Sequence, residues 1–286
     1  MLRLLAACRR GAFSEQGRKN HLHSLLQGAS TVLANHKDLV QHGDVYHHFC
    51  RFLDQLKRNF QLKELVADTV FVGLLELIAG FTQGSFNNYQ ENMQGLHYLI
   101  GLWARLCQDF PYLEGVSAPQ FTESFIPQLV QAIVECQTHW AVTDPSEAFD
   151  KTNLVSILDH TAPLCRFRYE ISQKYFSATF EHLYVEYKNG LQALERGDQR
   201  HLQHLLEVES KLAVILYISG TCVAYMKGIH ATLTEQIPLD AELSSMFFTL
   251  IPLIEARINN QMNIAKSKYL DLAVLHFLNH FRQRYH

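Results

Sequence analysis

Residues 44–60 read DVYHHFCRFLDQLKRNF. Val45, Phe49, Phe52, Leu53, Leu56 and Phe60 recur at steps of three and four, the spacing that places side chains on one face of an α-helix. Arg51, Asp54, Lys57 and Arg58 fall between them and are expected to face water. In the next stretch, Thr69 to Phe81, Glu76 is the only charged residue. As a helix that stretch is ~20 Å long at about 1.5 Å per residue, too short to span a bilayer. Its nearly all-round apolar surface predicts burial between neighbours. Met93 to Phe110 returns to a stripe of Leu96, Leu99, Ile100, Trp103, Leu106 and Phe110. The order is striped helix, buried helix, striped helix, with short polar joints.

The two striped helices match each other. At a shift of 50 residues His47 falls on His97, Phe52 on Leu102, Leu56 on Leu106 and Phe60 on Phe110. A third copy lies near the C-terminus, where Phe277, Phe281 and Tyr285 stand in the places of Phe52, Leu56 and Phe60. A period of about 40–50 residues in an all-helical chain predicts a HEAT-repeat α-solenoid of stacked helix pairs. The alternative is a plain helical bundle with chance matches.

The rest of the chain continues in helices. Ser14 is placed to cap a helix reaching about Ala34, Asp44 the helix after it, and Asp68 the apolar one. Pro127 fits the first turn of a helix running to Trp140. Pro163 either ends a short helix at 150–161 or kinks a longer one. An aromatic pattern runs from Leu164 to Leu194, and Gln199 to Met226 forms a helix weakened at Gly220. Asp240 is expected to cap a helix over 240–258 that bends at Pro252, and a last helix covers about Ala265 to Arg284. These are about eleven helices with joints short enough for antiparallel neighbours. The reading is all-α, about five helix pairs, with residues 1–286 forming one continuous segment.

Composition narrows the function. Hydrophobic residues make up 48% of the 286 and charged residues 19%, enough apolar material for a core. The net charge of −3, with no basic block, argues against a nucleic-acid binder. Six cysteines stand at 8, 50, 107, 136, 165 and 222 without a CxxC pair, and four of them read as buried thiols of a reducing compartment. Met1 to Ser14 carries Arg3, Arg9 and Arg10 and no acid, which admits a transit peptide. The favoured reading is the basic end of a solenoid helix. The uncharged run Leu212 to Met226 falls short of a membrane span.

Catalytic and metal signatures are weak. The 16 histidines include His21 with His23, His47 with His48, His201 with His204, and His276 with His280. Pairs at i, i+3 or i, i+4 share a helix face, but a closed metal site needs further ligands. His201, His204 and Glu207 come closest and read as a solvated face. There is no Gly-rich phosphate loop, no GxSxG elbow and no HExxH. Arg166, Arg168 and Lys174 are offset by Glu170, Glu181 and Glu186 and also read as a solvated face. No catalytic residue, cofactor site or metal ligand is assigned.

A resemblance covers most of the chain. Tyr46-His47-His48-Phe49-Cys50-Arg51, Leu56-Lys57, Asn59-Phe60-Gln61-Leu62 and Glu64-Leu65-Val66 are similar to an interior segment of the exportin-7 (Ran-binding protein) branch of the importin-β, or karyopherin, superfamily. Ile78-Ala79, Phe81-Thr82, His97-Tyr98-Leu99, Leu102-Trp103, Arg105-Leu106 and Pro111-Tyr112 continue it. Arg9-Arg10 with Phe13, Arg166 with Tyr169-Glu170, and Leu272-Ala273, Leu275, Phe277, Phe281-Arg282 and Tyr285 extend it. It is strong at 42–112 and 264–285 and weak around 113–150 and 225–262. It implies a segment of a nuclear transport receptor that binds Ran in its GTP form, protein cargo and Phe-Gly nucleoporins, without chemistry. One row of helices would hold partners, and clefts between helices of the other row would take Phe-Gly repeats. It also implies shuttling between nucleus and cytoplasm. The main Ran-contacting repeats of that branch lie N-terminal to the matched segment, so no Ran-binding residue is carried over. The alternatives are a stand-alone helical-repeat scaffold without transport activity and an α-helical enzyme.

Overall fold

A computed structural model describes residues 14–36, 38, 43–112, 118–225, 233–259 and 268–285. The reading of Arg9 and Arg10 as the end of a helix lies outside the described residues. The chain divides into two compact units, Met1–Leu129 and Val130–His286. Among the described residues all regular structure is helical. The α-helices are α1 (Glu15–Asn35), α2 (Gly43–Asn59), α3 (Leu62–Val66), α4 (Phe71–Ser85), α5 (Tyr89–Asp109), α6 (Thr122–Thr143), α7 (Pro145–Ala148), α8 (Lys151–Phe167), α9 (Tyr169–Glu195), α10 (Leu202–Ala224), α11 (Leu233–Phe248), α12 (Ile251–Asn259) and α13 (Lys268–Tyr285).

In the first unit the 50-residue repeat becomes physical contact. α2 packs along α5. Tyr46 meets Gly95, the His47 and Tyr98 rings lie 5.4 Å apart, and Asp54 meets Arg105. Lys57 meets Asp109. Partner numbers rise together along both helices, so equivalent helices of successive repeats lie side by side and parallel. α1 packs on α4 in the same manner of alternate helices, which leaves two rows. The fold class is an all-α helical-repeat solenoid. Phe49, Phe52, Leu53, Leu56 and Phe60 are buried as the stripe predicts, whereas Val45 is 53% exposed and Tyr46 takes its place inside.

Two expectations about polarity need correction. Asp54 is fully buried and Lys57 nearly so, because α5 covers that side of α2 and supplies a base and an acid for them. The apolar helix α4 is buried on one face only. Leu74, Leu75, Ile78 and Phe81 point inward, while Val72, Gly73, Glu76 and Gly80 are exposed. Glycine counts as apolar in a sequence but brings no side chain that needs cover. Trp103 closes this core, its indole N–H donating to Thr82 Oγ1 at 3.1 Å.

The second unit repeats the plan. α9 and α10 form an antiparallel hairpin in which a Cβ on Gly190 would come within 2.7 Å of Leu205. α11 runs parallel to α9: Tyr169 bonds Asp240, and farther along the Phe180 and Phe247 rings lie 4.8 Å apart. α13 runs parallel to α10. Arg257 reaches Glu209 and Asp271 at one end, and Gly220 meets Phe277 at the other. A Cβ on Gly220 would stand 3.1 Å from the Phe277 Cα, so this glycine serves close backbone approach.

Helix boundaries also differ from expectation. α8 continues through Pro163 and ends at Phe167, splitting the aromatic run. Pro127 lies inside α6 beyond its first turn. Pro252 opens α12 after a break at Thr249 and Leu250. Asp240 is interior to α11 and caps nothing. The stretch Glu235–Ile258 is long and apolar enough by length and composition to cross a membrane. That break interrupts it, and it carries the buried charge of Asp240.

The glycines yield a test. At Gly95 a Cβ would overlap the buried Tyr46 ring, whereas the space around exposed Gly80 is open. Gly95→Val should destabilise the chain by about 1–3 kcal/mol through overpacking. Gly80→Ala should stabilise it by up to about 1 kcal/mol through helix propensity. Urea titration of both variants measures the contrast.

Candidate interaction surface

Charged side chains in this chain first have to be separated into those that lock helices and those that face outward. Arg166, read as part of a solvated face, is 5% exposed. Its Nη2 donates to both Asp240 carboxylate oxygens, at 2.8 and 3.0 Å. Its Nε and Nη2 also donate to the carbonyls of Cys222 and Val223, at 2.9 and 3.1 Å. It therefore closes the C-terminal end of α10, where carbonyls lack helical partners. The Tyr169 hydroxyl donates to Asp240 Oδ1 at 2.5 Å, and Arg284 of α13 approaches Oδ2 at 3.9 Å. Arg168 and Lys174, by contrast, are exposed as expected.

Two further clusters do the same work. Arg257 donates to the fully buried Glu209 at 2.6 Å and to Asp271. Asp54 accepts from Arg58 at 2.7 Å and pairs with Arg105. Each of these acids has a guanidinium partner, with Glu209 and Asp271 sharing Arg257.

The histidine pairs disperse. His23 bonds Asp68 at 2.9 Å, and His47 lies edge-on to His48 and Tyr98. His201 lies 3.5 Å from Asp198, with His204 exposed. Among the described residues no group of three or more His, Cys, Asp or Glu could hold a metal ion. His276 and His280 do meet, with ring centroids 4.2 Å apart on the side of α13 facing α10. His276 Nε2 lies 3.1 Å from Thr221 Oγ1, and its ring packs on Tyr217.

A cleft of about 570 Å³ lies in the first unit between the start of α1 and α3. Arg18, Lys19, Leu22, Gln61 and Glu64 line it. Several of its charges are paired: Arg18 donates to Glu64 at 2.8 Å and to the Asn59 carbonyl at 2.8 Å, and Lys19 to Glu15 at 2.9 Å. The guanidinium also lies over the Phe60 ring. Such a cleft can take part in a contact. Apolar groups remain on the outside. On α13 Leu272 and Leu275 are 50% and 62% exposed, opposite the buried Phe277. Val72 of α4 and Val185 of α9 are also exposed. The arrangement is chemically suited to binding by surface contact.

The description "Exportin-7-like, TPR domain" belongs to a family model that matches residues 136–286. The chain belongs to the exportin-7-like family. It is 29% identical to human Ran-binding protein 17 and 28% identical to Exportin-7-B of Xenopus laevis, in each case over 98% of this chain and 25% of the relative. Exportin-7 of Dictyostelium discoideum is 24% identical over 98% of this chain and 28% of that protein. The exportin-7-like chain thus spans about a quarter of these relatives' length. No solved structure matches it. The outward-facing residues were not singled out from sequence, because an interaction surface has no spacing rule comparable to that of a metal or phosphate site.

Two tests follow from the charge geometry. Asp240→Asn strands Arg166 in the interior and should cost on the order of 3–5 kcal/mol in urea unfolding. Asp198→Asn removes a solvent-exposed pair with Arg200 and should leave the unfolding midpoint unchanged. Burial, with His280 close by, lowers the His276 pKa from 6.5 to about 4. Between those values the unfolded chain takes up a proton that the folded chain refuses. Stability present above pH 6.5 is therefore lost as pH falls toward 4. His276→Gln should flatten that dependence, read as unfolding midpoint against pH.

Proposed function

We propose that this chain is a segment of a nuclear transport receptor whose full-length form binds Ran in its GTP state, protein cargo and Phe-Gly nucleoporins while shuttling between nucleus and cytoplasm. Membership of the exportin-7-like family carries this reading, since the likeness to exportins and Ran-binding proteins extends over 98% of the chain. The geometry supports it physically. Stacked helices whose buried charges are matched in pairs offer side-by-side surfaces and shallow clefts, which suit protein partners. Binding then works by complementarity, with Ran contacts supplied by other parts of the receptor.

The test is a pull-down of the full-length gene product with Ran locked in its GTP or GDP form. Retention with GTP-Ran alone is the expected result. Equal or absent retention in both states removes the transport reading and leaves a helical-repeat scaffold.

A further inference from the structure

The outward face of α9 carries a pattern that matches its own reverse. Ile171, Ala178 and Val185 recur on it every seventh residue, with Ile171 39% and Val185 55% exposed. Beside them runs an exposed charged row, Glu170, Lys174, Glu181 and Lys188, whose signs alternate. Among the described residues none of these four has an ion-pair partner, so their charges are open to a second molecule. The other side of the helix is taken. Phe176, Phe180, Leu183 and Tyr187 are buried there, and α8, α10 and α11 pack against it. The striped face therefore looks away from its neighbours in the stack.

We propose that this face docks a second copy of the chain, with the two α9 helices antiparallel about a twofold axis at Ala178. A twofold interface brings the same patch of both copies together, so the patch must complement itself. With Ala178 on the axis, Ile171 of one copy stands opposite Val185 of the other. Lys174 falls one residue from Glu181 of the second copy, and Glu170 two residues from Lys188. Those offsets are at most about 3 Å at ~1.5 Å per residue, within the reach of Lys and Glu side chains. Each of the four charges thus meets its opposite, and the twofold axis repeats every pair. A parallel pairing would set like charges together. The small Ala178 lets the helix axes approach at the centre. The apolar stripe from Ile171 to Val185 is only ~21 Å long, so the interface is small and the dimer exchanges readily with monomer.

Sedimentation-velocity ultracentrifugation of the 286-residue chain tests this, over about 5 to 300 µM to suit a small interface. At about 50 mM salt the sedimentation coefficient should rise with concentration toward that of a dimer. At about 500 mM salt the rise should weaken, because exposed charges are screened. Lys174→Glu and Glu181→Lys should each abolish the dimer while leaving helicity by circular dichroism unchanged. The double variant restores opposite charges across the axis and should recover the dimer. A chain that stays monomeric throughout, association that survives Lys174→Glu, or a double variant that stays monomeric overturns the proposal. Association that survives both single changes and is lost on Leu275→Glu places the contact on α13 and overturns it as well.

Discussion

The second unit depends on one buried carboxylate. Asp240 sits on α11 with no exposure to water, and the guanidinium of Arg166, the hydroxyl of Tyr169 and, at longer range, Arg284 surround it. Those groups come from α8, α9 and α13, and Arg166 also closes α10. Burying such charges costs desolvation energy that their attraction roughly offsets, so the network is a poor source of net stability. Its effect is on register. Apolar ridges on parallel helices can slide by a turn and still interdigitate, whereas a carboxylate held by two donor atoms in the interior allows one alignment. Arg257 between Glu209 and Asp271 constrains α10, α12 and α13 in the same way. Asp54 between Arg58 and Arg105 does so for α2 and α5 of the first unit.

Much of the helical plan was legible because burial repeats with the helix period. Phe49 to Phe60 and Leu96 to Phe110 lie where their stripes place them, and the shift that aligned them in sequence also aligns them in space. The charged locks were not legible. Arg166 and Asp240 are separated by most of the second unit's hairpin, and nothing in a single sequence marks two distant opposite charges as partners. Arg166 therefore looked solvated and Asp240 looked like a cap. Glycine misled in two directions. On α4 it made an exposed face look apolar, and at Gly220 it looked like a weak point where it admits a neighbouring backbone.

The locks account for many of the buried charges among the described residues. Acids and bases at Arg18, Asp54, Asp240 and Arg257 are matched within the fold. What faces outward is scattered: Leu272 and Leu275 on α13, Val185 on α9, Val72 on α4. Recognition by such groups depends on the combined shape of several helices, so single positions carry little information about a partner.

The residues behind the family resemblance are largely the same ones that hold the helices. Thr82 and Trp103 share a hydrogen bond, Arg105 reaches Asp54, and Arg166 and Tyr169 converge on Asp240. Phe277 packs between Phe247, Phe248 and the backbone at Gly220. Each contributes to an inside contact that would be lost if a neighbouring helix shifted. Likeness concentrated there speaks first to how repeats stack and only through that to what the stack binds. A helical-repeat chain of this kind can change its outer surface while its interlocks stay, which is why it declares its architecture more directly than its partners.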